Sequence, residues 1–326
     1  MYDIITIGSI TRDNFLESDY KIIPWPKTPE KKAIALPFGE KLEVEKLYST
    51  IGGNSANASV TFARQGFKTA CFGKVGNDVA GKEIAEKLKK EGVAPLLAVS
   101  EKEPSAYSVL LLKNGERTIL GYHGASNTIK KADIQWENLK SKWWYLSLAG
   151  ESIHLFGAFL DFAKKNDIKV AFNPSGYHLK NGKKEILARL NDLSFLVLNE
   201  GEAAELTGIP FSKEREVFKK LDRLMPGIIA VTNGPKGVTV SDGRRIYKAG
   251  IFKEKELIDR TGAGDAFGSG FVAGIMRTND IEYAIQLATA NSTSVVEKIG
   301  ATEGVLTKKE SESSLRWKNL AIKSLN

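Results

Sequence analysis

Short apolar runs alternate with segments of helical periodicity along this chain. Buried strands are predicted from the apolar runs at 3–9, 67–75, 143–148, 169–172, 195–198 and 227–232, with two further strands near 237–241 and 244–248. Helices are predicted at 55–65, 81–91, 153–166, 183–190, 200–207, 214–224, 264–277, 280–298 and 307–323. Continuous apolar strands that alternate with helices are typical of an α/β fold, in which helices cover both faces of a mainly parallel sheet.

Two segments depart from this alternation. Residues 14–50 contain four prolines and no helical period, which indicates short strands and turns. Residues 105–112 and 116–121 flank the dipeptide Asn114-Gly115, a strong hairpin signal. We find no repeat and no linker-like boundary, so we expect one domain spanning 1–326, with small β segments at about 14–50 and 104–124 lying over it.

Composition narrows the class of protein. The single cysteine, Cys71, excludes an internal disulfide framework and fits a reducing compartment, so we expect a cytoplasmic protein without a signal peptide. No apolar run approaches the roughly 18 residues of a membrane span. The net charge is +8, but the lysines occur in short groups mixed with glutamates. That pattern is typical of solvated helix faces, so we expect no nucleic-acid partner.

The most informative segment is Asp-Arg-Thr-Gly-Ala-Gly-Asp-Ala-Phe-Gly-Ser-Gly-Phe, from Asp259 to Phe271. Glycines at 262 and 264 let backbone N–H groups turn toward a ligand, and a helix that starts there adds the positive end of its dipole. Asp265 follows this anion site and is suited to accept the proton of an attacking hydroxyl, as phosphoryl transfer to an alcohol requires. The alternative is an ordinary helix start with Asp265 as a first-turn acid.

A second glycine-rich segment, Gly52-Gly53-Asn54-Ser55-Ala56-Asn57, runs into a predicted helix. Its backbone permits close approach of a ligand, and the Asn and Ser side chains offer donors and acceptors suited to sugar hydroxyls. A glycine turn with Asn54 or Ser55 as the N-cap remains the alternative.

A third site is indicated where Asn199-Glu200-Gly201-Glu202 follows a strand and opens a helix. Carboxylates there are suited to hold Mg²⁺ through water, because this ion keeps much of its hydration shell and is coordinated by substrate phosphates. Favourable interaction with the helix dipole explains Glu200 and Glu202 equally well.

These blocks together resemble the ribokinase-like (PfkB) family of carbohydrate kinases, in motif, order and spacing over nearly the whole chain. The resemblance implies a ribokinase-like fold with the β segments as a lid, Asp265 as the general base, and the amides of Gly262, Ala263 and Gly264 as the anion hole. It also implies ATP and Mg²⁺ as cofactors. The implied acceptor-site residues are Asp13, Gly52, Gly53 and Asn57. The implied nucleotide-site residues are Asn199, Glu202 (through Mg²⁺ and water), Thr232, Gly234, Gly237 and Asn291, with Asp259 and Thr261 beside a K⁺ ion.

The expected activity is therefore ATP-dependent phosphorylation of a small sugar. Asn173-Pro174 resembles ribokinase more than the kinases of acidic or phosphorylated sugars, and Glu151 follows a strand end where it would line the acceptor pocket. A nucleoside kinase of the same fold and a non-catalytic sugar or nucleotide sensor are the alternatives. A homodimer formed through the lid is a further expectation.

Overall fold

The computed structural model describes residues 1–28 and 31–325; Pro29, Glu30 and Asn326 lie outside the described residues. The helices, α1 to α10 in chain order, span Asn54–Arg64, Val79–Lys90, Phe156–Lys165, Gly176–Asn181, Lys183–Arg189, Glu200–Thr207, Glu214–Leu224, Ala263–Thr278, Ile281–Val295 and Lys308–Ser313. The strands, β1 to β16, span Tyr2–Gly8, Thr11–Glu17, Lys21–Pro24, Lys32–Ala35, Lys46–Gly52, Thr69–Gly76, Ala94–Ser100, Tyr107–Lys113, Glu116–Tyr122, Ser141–Ser147, Lys169–Phe172, Phe195–Asn199, Ile228–Thr232, Val238–Ser241, Ile246–Ala249 and Ile322–Leu325.

A ten-stranded sheet with the order β16-β15-β14-β13-β12-β11-β10-β1-β6-β7 forms the centre of the molecule. The strands from β13 to β7 in this order pair in parallel, and β14, β15 and β16 extend the sheet in antiparallel fashion. The chain order changes direction at β1, which has β6 on one side and β10 on the other. In open α/β sheets, ligands bind at the carboxyl ends of the strands near such a switch point.

The parallel strands are buried on both faces, which explains their continuous apolar sequence. In β12, Leu196 and Leu198 pack into the core under α3 to α7, whereas Phe195 and Val197 pack against Phe271 and its neighbours in α8 and α9. Side chains alternate between the faces of a strand, so both faces must be apolar where helices cover both. The predicted α/β architecture is confirmed.

A smaller sheet with the order β5-β2-β8-β9 stands beside the main sheet. Strands β8 and β9 form the predicted hairpin, and Asn114 and Gly115 both have positive φ angles (52° and 76°), as a type I′ turn requires. Phe15, Leu110 and Leu112 form its own buried cluster. Strands β2 and β8 pair in parallel, so the sheet is mixed.

The sequence interpretation was wrong at one long element. The helix predicted over 307–323 ends at Ser313, and Ile322–Leu325 forms β16, which pairs with β15 at the sheet edge. Trp317 lies between them in a short 3-10 turn and packs on Phe252, which interrupts the helix. Two elements were not predicted, namely β7 and the short helix α4. In the part of the chain that the structure describes, no helix is both long and apolar enough to cross a membrane.

Candidate active site

Asp265 lies in the first turn of α8, at the carboxyl edge of the main sheet. The helix starts after Gly262, whose φ of 78° is left-handed, and a Cβ there would lie 2.4 Å from Ala301 Cβ. The Asp265 carboxylate is buried and is bonded to side chains from other elements. Asn57 Nδ2 donates to Oδ2 at 2.8 Å, and Asn173 Nδ2 lies 3.4 Å from Oδ1. The chain thus directs this carboxylate toward α1 and the end of β11.

Burial is the main cause that raises the pKa of Asp265 to about 6. The charges of Glu202 and Asp13 raise the pKa further, and the hydrogen bond from Asn57 opposes the rise. A carboxyl group with a pKa near neutrality is suited to take up a proton at physiological pH.

Asp13 lies on β2, and its side chain is close to Asp265 at the carboxyl edge of the main sheet. Its Oδ1 accepts a hydrogen bond from Thr11 Oγ1 at 2.6 Å, and burial raises the pKa of the carboxyl group. A Cβ on Gly52 would lie 1.8 Å from Asp13 Oδ2, so only glycine fits at that position. The double glycine therefore makes room for an acidic side chain as well as for the chain turn into α1.

Tyr145 and Asn173 are also close to Asp265, which no sequence pattern indicated. The Tyr145 hydroxyl is buried against Gly268, one helical turn beyond Asp265. Tyr145 is part of an apolar strand, and Asn173 directly follows the end of β11. Their proximity to the carboxylate is a property of the assembled sheet.

Asn199 and Glu202 form a reciprocal cap at the start of α6. Glu202 N–H donates to Asn199 Oδ1 at 2.9 Å, and Asn199 N–H donates to Glu202 Oε2 at 2.8 Å. Burial raises the pKa of Glu202, and the bond from Asn199 opposes this. Both residues therefore have the geometry of an ordinary helix cap. Glu202 is nevertheless close enough for its charge to act on Asp265.

A cleft separates the loop after β13 from the start of α8 and from α9. Its two adjoining hollows, of about 100 and about 240 Å³, share Gly234, Ile251, Ala263, Ser292 and Thr293. The first also borders Thr232, Gly237 and Gly264. Nothing lies within 4 Å of the Cβ position of Gly264, so space is open in front of the helix start. A larger hollow of about 650 Å³ borders Glu200 and Lys236 but none of the first turn of α8.

Asn291 occupies a different position from its neighbours Ser292 and Thr293. It is fully buried, donates to Ala266 O at 2.9 Å and to Thr61 Oγ1 at 3.2 Å, and accepts from Leu306 N–H at 2.9 Å. Its amide therefore joins α8, α1 and the chain before α10. The Asn291 side chain therefore connects these three segments, whereas the neighbouring Ser292 and Thr293 line the cleft.

Asp259 is fully buried beside the loop that leads into α8. Its Oδ1 accepts from Thr261 N–H at 2.9 Å and Thr261 Oγ1 at 2.7 Å, and its Oδ2 accepts from Gly300 N–H at 3.1 Å. The carboxylate thus fixes the segment before Gly262 against the chain after α9.

Glu151, which was predicted to line the acceptor pocket, is exposed in a 3-10 turn. Its N–H donates to Asn127 Oδ1 at 3.0 Å.

A family profile described as "pfkB family carbohydrate kinase" matches residues 19–308. The chain belongs to this family. Members of the pfkB family transfer a phosphoryl group to an alcohol, so the protein is a kinase of the carbohydrate-kinase type.

The names of individual similar proteins are consistent with this family assignment. A ribokinase of Lactococcus lactis is 30% identical over 289 residues, which cover 87% of this chain and 91% of the relative. An ATP-dependent 6-phosphofructokinase of Thermoanaerobacterium thermosaccharolyticum is 26% identical, with 92% and 89% of the two chains covered. A solved structure of a putative ribokinase II from E. coli, in complex with ATP and Mg²⁺, has a TM-score of 0.80 at 19% identity, covering 96% and 98%. This pfkB chain therefore has the ribokinase fold.

Proposed function

We propose that the protein transfers the terminal phosphoryl group of ATP to a hydroxyl of a small, uncharged sugar. The observation that carries the proposal is the buried Asp265 carboxyl group, which has a pKa raised to about 6, at the amino end of α8. Space is open in front of Gly264, one position before Asp265, where the nucleotide phosphates would lie. The proposed base and the proposed anion hole thus occupy one helix turn at the edge of this cleft.

Proton transfer and charge stabilisation follow from this arrangement. Asp265 accepts the proton of the acceptor hydroxyl as that oxygen attacks the phosphorus atom. The backbone N–H groups of Gly262, Ala263 and Gly264 stabilise negative charge that develops on the transferred group. Asn57 holds the carboxylate in place through its 2.8 Å hydrogen bond.

Mg²⁺ fits the residues at the start of α6 as a water-mediated ion. In the described ranges, no group of three or more His, Cys, Asp or Glu side chains is arranged to hold a metal. Glu202 Oε2 is engaged by Asn199, which leaves Oε1 to receive a metal-bound water. Mg²⁺ typically uses one or two carboxylates, several waters and substrate phosphates, so this sparse donor set suits it. When bound, the ion would neutralise charge on the nucleotide phosphates.

The charges around the acceptor pocket favour an uncharged substrate. Asp13 and Asp265 are acidic, and Asn57 is neutral. Arg12, the neighbour of Asp13, points to the opposite face of β2 and pairs with Glu83 of α2. A phosphorylated sugar at Asp13 would meet the carboxylates of Asp13 and Asp265, which is unfavourable.

We further propose that the sheet β5-β2-β8-β9 is a lid within a single domain. It carries Asp13 and closes over the acceptor, which excludes water that would otherwise hydrolyse ATP. On the face opposite to Asp13, the apolar side chains of Leu47, Tyr107, Leu120 and Tyr122 are exposed. We propose that this face joins two copies of the chain, because exposed apolar patches mark contact surfaces. Light scattering should then show a dimer that Leu120→Lys weakens and Leu315→Lys, an exposed position elsewhere, does not.

The test of the activity is ATP consumption on a panel of neutral sugars, nucleosides and fructose 6-phosphate. Turnover is expected with a neutral pentose or hexose. Preference for a nucleoside would support the nucleoside-kinase alternative, and absence of turnover with every compound would support a sensor. Preference for fructose 6-phosphate by tenfold or more would contradict the assignment of an uncharged acceptor.

A further inference from the structure

The hollow of about 650 Å³ adjoins the nucleotide cleft, but no residue of α8 or α9 lines it. Its walls are the start of α6, the chain that leads into α7, the loop after β13 and one face of the strands β14, β15 and β16. None of the residues assigned to catalysis, to the sugar or to the nucleotide lines it. A hollow of this volume is large enough for a small organic ligand.

Two lysines face each other in this hollow across the last two strands of the sheet. Lys248 of β15 lies directly opposite Lys323 of β16, and both line the hollow. Opposite residues of an antiparallel pair point to the same face, and like charges placed so are destabilising. Lysine on an edge strand guards against pairing with other chains, which explains Lys323. It does not explain a second lysine beside it on the inner strand β15.

The acidic groups of the hollow neutralise only part of its positive charge. Lys248 forms an ion pair with Glu214 at the start of α7. Lys236, in the loop after β13, also lines the hollow, and the ion pairs found among the described residues include neither Lys236 nor Lys323. The remaining acid of the lining is Glu200. Two ammonium groups against one carboxylate leave the hollow suited to an anion.

The rest of the lining combines an apolar floor with neutral polar side chains. The floor is formed by the side chains of Val231, Val238, Ala249 and Ala321. Ser212 and Asn233 offer a hydroxyl and an amide on the walls. Lysines bind phosphate as point charges, whereas hydroxyl and amide groups both donate to and accept from the hydroxyls of a carbon skeleton.

We propose that this hollow is a second ligand site, which binds a phosphorylated sugar. The phosphate lies between Lys236 and Lys323, and the sugar hydroxyls bond to Ser212 and Asn233. A neutral sugar lacks the charge that the lysines select, and inorganic phosphate lacks the hydroxyls. Phosphorylated sugars are also the class of product that the proposed reaction forms. The site therefore provides feedback by product, and this regulatory part of the inference rests on the proposed function.

The loop after β13 connects the hollow to the nucleotide cleft. Asn233 and Lys236 line the hollow, whereas Gly234 lines the cleft. The loop is a tight turn, because Lys236 N–H donates to Asn233 O at 3.0 Å and Gly237 N–H donates to Gly234 O at 3.1 Å. A Cβ on Gly237 would lie 2.0 Å from Ala249 O, so the turn is pressed against the end of β15. A phosphate that draws Lys236 into the hollow thus removes positive charge from the nucleotide side, and the KM for ATP rises.

The binding experiment is calorimetry with glucose 6-phosphate and ribose 5-phosphate as probes. The full chain carries Asp13→Ala, which weakens binding of the probes at the proposed acceptor pocket. We expect saturable binding of one probe per chain, about tenfold weaker when Lys323→Gln is added, because a charge-assisted contact is lost. Lys309→Gln, at an exposed lysine of α10 that does not line the hollow, is the matched control and should bind as tightly as its parent. Inorganic phosphate at equal ionic strength should bind about fivefold more weakly than either probe.

Circular dichroism establishes that each variant is folded. Absence of binding would overturn the inference, as would an affinity that Lys323→Gln leaves unchanged. Inorganic phosphate that binds as tightly as the sugar phosphates would overturn the assignment of the ligand.

The regulatory part is tested with Asp13 intact and the acceptor saturating. Glucose 6-phosphate should raise the KM for ATP about threefold or more, and Lys323→Gln should abolish this effect while leaving the KM without effector unchanged. Binding without any change of the KM for ATP would overturn the feedback. Absence of turnover with every acceptor would instead contradict the proposed function, and the calorimetric result, which needs no turnover, still decides whether the site exists.

Discussion

The Asn57 side-chain amide donates a 2.8 Å hydrogen bond to Asp265 Oδ2, although 208 positions separate the two residues in sequence. Asn57 belongs to α1, beyond the double glycine, and Asp265 belongs to α8. The bond therefore joins the predicted acceptor segment to the predicted catalytic segment. It also explains how a carboxylate is kept in a buried setting, because a charge-assisted hydrogen bond offsets part of the cost of desolvation.

Replacement of Asp265 by Asn should abolish most turnover while leaving the fold and nucleotide binding intact. Asn keeps the size of the side chain and removes the proton acceptor. Loss of a general base typically lowers kcat about 10²–10⁴-fold. Steady-state kinetics on the best substrate measures this, with Glu202→Gln as the contrasting variant that excess Mg²⁺ should partly rescue. Retention of more than about a tenth of the wild-type kcat would show that Asp265 is only a first-turn acid.

The pH dependence of kcat/KM should report the raised pKa of Asp265. The base acts as the carboxylate, and its pKa in the free enzyme is about 6 because of burial. Activity is therefore expected to be full above pH 7 and to fall as the pH drops through 6, by about tenfold for each further unit. Measurement from pH 4.5 to 8.5, with folding monitored at each pH, tests this. An activity that stays level down to pH 4.5 would contradict the assignment.

Potassium should activate the enzyme several-fold. Asp259 is buried beside the anion-hole loop, and none of the ion pairs in the described residues includes it. A monovalent cation among neighbouring oxygens would balance this charge and order Gly262 to Gly264. Initial rates in K⁺ are compared with rates in tetramethylammonium at equal ionic strength. Equal rates in the two salts would leave Asp259 as a residue that only caps the turn.

Gly268→Ala should destabilise the protein because its Cβ would lie 2.4 Å from the Tyr145 hydroxyl. An added methyl group in a packed interior typically costs about 1–3 kcal/mol of unfolding free energy. Since the short contact is with the hydroxyl oxygen, Tyr145→Phe in the same chain should restore part of the loss. Denaturant unfolding measures both effects.

Gly264→Ala is the control for that substitution, since it lies in the same helix with nothing within 4 Å of its Cβ position. It should leave stability unchanged or improved. A Gly268→Ala variant as stable as the wild type would show that α8 moves away from β10 without cost.

Much of the fold could be read from local patterns. The strands β1, β11, β12 and β13 and the helices α6 and α7 agree with the prediction within about two residues. The strands are continuous apolar runs, α7 is strongly amphipathic, and α6 is bounded by the Asn199 cap and Gly208. The prediction of the final helix was wrong because the local pattern there is weak. Residues 318–325 have no strong period of their own, and the unpaired edge of β15 determines their conformation.

The candidate site, like the fold, could be predicted from sequence only where it depends on neighbouring residues. The turn before Asp265 and the glycines at 52 and 53 were found from sequence, because backbone turns and helix starts depend on neighbouring residues. The cap between Asn199 and Glu202 is also local, and the structure shows the reciprocal bonds that a capping box requires. Asn291 was expected at the nucleotide, yet its amide is turned inward by contacts with α1 and α8.

The sequence by itself determined the order of the elements, the family and the segments that meet at the carboxyl edge of the sheet. Only the tertiary structure decided that Asn57, Asn173 and Tyr145 converge on Asp265, and that Arg12 turns away from Asp13. The physical reason is that local conformation depends on residues a few positions apart. Burial, pKa shifts and side-chain hydrogen bonds depend instead on which distant segments pack together.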